Sequence, residues 1–170
     1  MDKKQLRKKA YAYFKEMPDE VYLERTKEVM EFITKFPKFL EAKKVGIYYP
    51  IHKEINLLML MHLFPDKSYY FPRLDGKSLS FRKITDITEL ENAKFNTKQP
   101  KKHHTIEKNI DIYFIPCVAT HQNYRIGHGK GYYDYYFQDH QGYKVGIVHH
   151  LLKNQDIKMD NYDIPMDYII

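Results

Sequence analysis

Three glycines at alternate positions, Gly127, Gly129 and Gly131, stand inside the run Arg125-Ile-Gly-His-Gly-Lys-Gly-Tyr-Tyr-Asp134. The chain has only seven glycines in all, so this clustering needs a local reason. Glycine reaches backbone conformations closed to other residues and lets another group approach without meeting a Cβ. Successive N–H groups in such a segment can converge into a concave nest for an anion. Arg125 and Lys130 bring two positive charges to the loop, and Asp134 brings a hard carboxylate oxygen. Phosphate together with magnesium is the ligand pair that matches this mixture. The spacing fits neither the Gly-x-x-x-x-Gly-Lys-Ser/Thr loop nor the dinucleotide pattern Gly-x-Gly-x-x-Gly.

Other groups carry weaker signals. Lys3, Lys4 and Arg7 share the first amphipathic segment, and Lys3 and Arg7, four apart, fall on one helix face. They suit a phosphate chain, or simply a solvated basic face. Glu54 closes the segment Tyr49-Pro-Ile-His-Lys-Glu. It can accept hydrogen bonds from the amide edge of a pterin or purine, or serve as an early helical acid at the positive dipole end. Asp160, Asp163 and Asp167 form an acidic group that either completes a magnesium site with Asp134 or makes a solvated turn. The nine histidines include adjacent pairs but no His-x-x-x-His spacing, so no structural zinc site is expected. Cys117, the only cysteine, excludes an intramolecular disulfide and reads as a buried thiol in a reducing cytoplasm.

These groups need a scaffold. Leu6, Ala10 and Phe14 predict a helix at the N-terminus, and Pro18-Asp19 starts a second. Strands are predicted at 44–49, 68–71, 79–83, 110–115 and 143–148, with a turn at Asp75-Gly76 and a last strand in the tail 156–170. Helices are predicted at 56–64 and 131–138, and residues 85–108 read as a polar surface loop with little regular structure. The alternation implies a single α/β domain over 1–170, a three-layer α/β/α sandwich with a mainly parallel, Rossmann-like sheet. At 170 residues and 43% hydrophobic content the chain can bury a real core. Its longest apolar stretch, 55–64, is too short for a membrane span. The net charge of +6 favours anionic partners.

The ten-residue run closely resembles the signature of the 5-formyltetrahydrofolate cyclo-ligases. Lys3-Lys-Gln-Leu-Arg7, Tyr49–Glu54, Phe71-Pro-Arg73, Gln99-Pro100, Ile115-Pro116 and the pair Asp163 and Asp167 match further landmarks in order. The stretch Thr120–Tyr124 departs from that family's usual Phe-Asp and Gly before the signature arginine. The resemblance implies ATP- and Mg²⁺-dependent conversion of 5-formyltetrahydrofolate to 5,10-methenyltetrahydrofolate by a cytoplasmic monomer. It implies that Lys3, Lys4, Arg7, Arg125 and the loop Gly127, His128, Gly129, Lys130, Gly131, Tyr132 and Tyr133 hold ATP, with Lys130 and Arg125 acting on the transferred group. Tyr49, Glu54 and Tyr133 would position the folate, Asp134 and Asp163 the metal, and the basic surface a polyglutamate tail. His128 receives no chemistry of its own. The same phosphate loop would also serve another small-molecule kinase or ligase. The +6 charge and sixteen tyrosines would serve a single-stranded nucleic-acid binder, although the basic residues are not interleaved with aromatics.

Overall fold

The computed structural model describes residues 1–170. Helix α1 (Lys3–Glu16) starts in a capping box: Asp2 accepts from the Gln5 amide, and the Gln5 side chain accepts from the Asp2 amide. Helix α2 (Asp19–Ile33) follows Pro18, with Asp19 and Glu20 in its first turn, and a short α3 (Pro37–Glu41) leads into strand β1 (Lys44–Gly46). The helix predicted at 56–64 is reduced to one turn, α4 (Leu60–Leu63). The Asn56 side chain accepts from the Leu58 amide and bends the chain before a helix can begin.

Strands β2 (Ser68–Asp75) and β3 (Ser78–Ile84) form a hairpin turned at Gly76, and β2 runs four residues beyond its predicted end, through Pro72. Proline is tolerated there because β1 pairs only as far as Tyr70, so the far half of β2 has a neighbour on one side alone. Residues 85–108, expected to hold little regular structure, carry two 3₁₀ turns and a small ladder of β4 (Leu90–Asn92) and β5 (Lys98–Pro100). Arg73 donates to the Pro100 carbonyl, Arg82 to those of Lys102 and His104, and the Lys83 amide to Thr105. The segment therefore covers the open edge of β3.

After β6 (Ile112–Pro116), the strands β7 (Ala119–His121) and β8 (Tyr124–Ile126) make a tight hairpin that delivers the glycine loop. Helix α5 (Tyr132–Tyr136) follows, then β9 (Tyr143–Ile147) and β10 (Tyr168–Ile169). The main sheet has the order β10-β9-β6-β1-β2-β3, parallel throughout except for β3. Alternate residues divide its faces. Tyr69, Phe71, Ile112, Phe114, Val145 and Ile147 pack with Val29, Ile33 and Phe39, while Tyr70, Phe81, Tyr113 and Ile115 pack with Tyr136 and Phe137. Helices thus cover both faces, giving the three layers. On α1, Leu6, Ala10 and Phe14 pack with Val118, Ala119, Val148 and Leu152. No helix is long and apolar enough to cross a membrane.

Gly142, entering β9, has φ +127°, and a Cβ there would lie 2.6 Å from the Ile110 carbonyl oxygen and 2.7 Å from the Tyr113 ring. Backbone strain and overpacking would combine in Gly142→Ala, with an expected loss of about 2–4 kcal/mol. Thermal unfolding should show a midpoint lowered by roughly 5–12 °C. An unchanged midpoint would refute the account.

Candidate active site

From β1 the chain proceeds to β2 and β3 on one side, then crosses to β6, β9 and β10 on the other. The boundary between β1 and β6 is therefore a topological switch point, where open parallel sheets leave a crevice beyond their carboxyl ends. A cleft of about 1200 Å³ lies there. Tyr48, Tyr49 and Ile51 line it beyond β1, Pro72 and Leu74 from β2, Pro116 from the end of β6, and the glycine loop beyond β8.

Helix α1 forms one wall. Its residues Lys3, Arg7 and Tyr11, at successive four-residue steps, all face the cleft. Lys4, off that stripe, is exposed and does not line it. The Arg7 Nε donates to the Gly127 carbonyl at 2.7 Å, pinning the loop against α1. Two guanidinium groups lie close over two glycines. A Cβ at Gly127 would meet Arg125 Cζ at 2.7 Å, and one at Gly129 would meet Arg7 Cζ at 3.2 Å, with φ at Gly129 already +99°. The glycines thus make room for cations as well as for a ligand.

Arg125 donates from Nε to the Pro116 carbonyl at 2.7 Å and stacks on Tyr133, 4.7 Å from the ring centre. Its other guanidinium nitrogens have no carboxylate partner. Lys130 is exposed at the cleft and makes no ion pair. None of the backbone N–H groups from Gly127 to Gly131 donates to another protein group. These five consecutive donors, with Arg125 and Lys130 among and beside them, are free to meet an anion. The unusual entrance Thr120–Tyr124 is accommodated by the β7–β8 hairpin, with Gln122 at its tip in the left-handed region.

The acidic groups converge on α1. Lys3 Nζ lies 2.7 Å from both Asp160 Oδ2 and Asp163 Oδ2, and the Asp160 amide donates to Asp163. Burial acts to lower the Lys3 ammonium, but its hydrogen bonds to Asp160 and Asp163 and their charges hold it above its ordinary value. Asp134 accepts from the Ile164 amide at 3.0 Å, beside Asp163. Burial pushes the Asp134 carboxyl up, with the Ile164 hydrogen bond and Arg125 opposing the shift. Asp167 takes no part in the cleft; it accepts from the Lys144 amide and pairs with the Lys144 ammonium. Cys117 is buried and its thiol is pushed up to about 12 by burial, which makes it inert.

Glu54 sits on a turn in which its Oε1 accepts from the Ile51 amide at 2.9 Å, while its Oε2 faces His128 Nε2 at 3.4 Å. Tyr22 donates to the Glu54 carbonyl, and the buried His149 bonds the Lys53 carbonyl through Nε2 at 2.6 Å. Tyr11, His128 as a bridge to Glu54, and His149 as a support were missed in the sequence. Tyr11 was recoverable, since it continues the Lys3–Arg7 face by one more step of four. His149 lies 95 residues from Glu54, and no local pattern could have joined them.

Burial lowers the His149 imidazole below its ordinary value, with the Lys53 carbonyl opposing. In the unfolded chain the group titrates near ~6.5. Below that pH the unfolded state binds more protons, so stability is lost as pH falls through the depressed folded value. We expect His149→Gln to show a smaller drop in thermal midpoint than the native protein between about pH 7.5 and about pH 5.5. Equal drops would count against this coupling.

Fold and cleft together define a mainly parallel α/β protein with a cationic glycine-loop site at the sheet's switch point. The 5-formyltetrahydrofolate cyclo-ligase family model matches residues 1–170, and the chain belongs to that family. It is similar to the 5-formyltetrahydrofolate cyclo-ligase of Mycoplasma pneumoniae, 31% identical over 133 residues, covering 75% of this chain and 72% of the relative. A probable 5-formyltetrahydrofolate cyclo-ligase of Schizosaccharomyces pombe is 25% identical, covering 100% of this chain and 95% of the relative. Among solved structures, the 5,10-methenyltetrahydrofolate synthetase of Aquifex aeolicus aligns with a TM-score of 0.84 at 28% identity, over 99% of this chain and 89% of that one.

Proposed function

We propose that this chain, as a single-domain monomer in a reducing cytoplasm, converts 5-formyltetrahydrofolate to 5,10-methenyltetrahydrofolate at the expense of ATP. The observation that carries the reading is the convergence of Lys3, Arg7, Arg125, Lys130 and the free loop amides on one cleft that also holds Glu54. Family membership supports the substrate.

A formamide oxygen is a poor leaving group, and its phosphorylation solves that problem. The formyl oxygen forms a bond to the γ-phosphorus as the bond to ADP breaks, giving an N5-iminium phosphate. N10 then attacks the formyl carbon, its proton passes to solvent, and the carbon–oxygen bond breaks to release phosphate. Such a transfer depends on positioning and charge neutralisation more than on covalent help from protein. Arg7, Arg125 and Lys130 neutralise phosphate charge while the amides of Gly127 to Gly131 hold the oxygens. Tyr49 and Tyr133 line the folate, and Glu54 accepts from its amide edge. The basic surface favours a polyglutamylated substrate.

Asp134 and Asp163 fit a magnesium ion. Both are hard oxygen donors, Asp134 is a half-buried carboxylate whose burial disfavours its charge, and a cation, Lys3, already lies against Asp163. Bound there, Mg²⁺ would draw charge from phosphate oxygens. Mixing the protein with 5-formyltetrahydrofolate and Mg-ATP should raise the absorbance of the methenyl product, and omission of ATP should abolish the rise. A folded, magnesium-supplied protein without turnover would overturn the proposal.

A further inference from the structure

His128 lies between two glycines in the phosphate loop, and its ring meets Tyr11 and Glu54. It stacks on Tyr11, with ring centres 5.8 Å apart and planes 10° apart. Its Nδ1 is 2.8 Å from the Tyr11 hydroxyl and its Nε2 is 3.4 Å from Glu54 Oε2. One neutral tautomer satisfies both contacts: the Tyr11 O–H donates to Nδ1, and Nε2–H donates to the carboxylate. His128 is therefore a hinge contact between the nucleotide half of the cleft and the turn that presents Glu54.

Each oxygen of the Glu54 carboxylate already faces one partner. One oxygen is held by the Ile51 amide, the other is faced by His128, and its side chain is only 13% exposed. A substrate edge that donates two N–H groups to Glu54 needs both oxygens, including the one that His128 faces. At 3.4 Å the contact is long for a charge-assisted hydrogen bond and so is readily displaced. The loop that carries it is the one whose five free amides await an anion.

We infer that His128 and the substrate compete for Glu54, so that filling the phosphate loop frees Glu54 and the two halves of the cleft bind cooperatively. The inference rests on the proposed reading of Glu54 as the folate acceptor. His128 acts here as a positioning residue whose displacement carries the coupling, and the coupling is reciprocal between the two ligands.

The test is a set of calorimetric titrations of the full chain with 5-formyltetrahydrofolate, with and without magnesium and a non-hydrolysable ATP analogue. In the native protein the analogue should tighten folate binding at least about fivefold. His128→Phe keeps a flat ring on Tyr11 but has no N–H for Glu54. It should bind folate without analogue about as tightly as the native protein does with it, and its coupling should fall towards unity. His128→Gln, which can still donate, should restore part of the coupling. Tyr11→Phe removes the Nδ1 partner without touching the loop and should also weaken the coupling, so the test survives if His128→Phe fails to fold. Folate binding without coupling in the native protein overturns the inference alone, as does native coupling in His128→Phe or, where that variant is unfolded, in Tyr11→Phe. No folate binding under any condition overturns the proposed function and the inference with it.

Discussion

Lys130→Ala should lower kcat by about 10²–10³-fold, the range found when one preorganised charge-stabilising donor is removed from an active site. The residue is exposed, makes no ion pair and sits between Gly129 and Gly131 in a loop with free amides. Nothing in the fold leans on it, so the variant's thermal stability should stay within about 0.5 kcal/mol of native. The effect should fall on kcat more than on nucleotide affinity, because Arg7, Arg125 and the amides still bind phosphate. The ammonium matters most as charge spreads over the transferred group. Lys130→Arg, which keeps a cation at the same place, should recover part of the rate. Steady-state turnover with the methenyl product as readout decides the matter, and an alanine variant with native turnover would remove Lys130 from the mechanism.

Arg125→Met should cost as much in kcat/KM, about 10²–10³-fold, and should also cost stability. Arg125 does three things from one position. Its Nε satisfies the Pro116 carbonyl at the end of β6, its planar group stacks on Tyr133, and it lies over Gly127 with charge unspent on any carboxylate. Loss of the Pro116 bond leaves a part-buried carbonyl unpaired, worth about 1–3 kcal/mol. Arg125→Lys is not a conservative change here. It keeps the charge, but it has no planar fork to lie on Tyr133 while holding Pro116. We expect the lysine variant to recover less than a tenth of the lost kcat/KM and to unfold at a lower temperature than native. Full rescue by lysine would show that only the charge matters.

The loop was legible in the sequence because its signal is local: alternate glycines and cations within ten residues need no tertiary information. The same holds for Lys3 and Arg7, whose helical spacing brings both to the cleft, and for the buried strand 112–116. What escaped detection is long-range or depends on side chains. Lys3 and Asp163 were read as separate ligands of phosphate and metal, whereas they meet each other directly. The pairing joins the two ends of the chain, and spacing carries no trace of it. The segment 85–108 read as a loop with little regular structure because its composition is polar, yet Arg73 and Arg82 tie its carbonyls to the sheet. Polar side chains replaced the apolar periodicity by which a strand is usually recognised. The helix at 56–64 had the right apolar pattern, but Asn56 bonded its own neighbourhood first.

Lys3 bonds Asp160 and Asp163 across 157 and 160 residues of chain. During synthesis from the N-terminus, α1 is made well before its acidic partners. The Lys3 end of the cleft wall therefore waits for 157 further residues before its charge is matched. Domains generally complete their folding as units, and here the order of synthesis places assembly of the site after α1 and the strands through β9. A nascent chain that has not yet reached Asp160 and Asp163 can hold much of the sheet, but it lacks the carboxylates that Lys3 bonds.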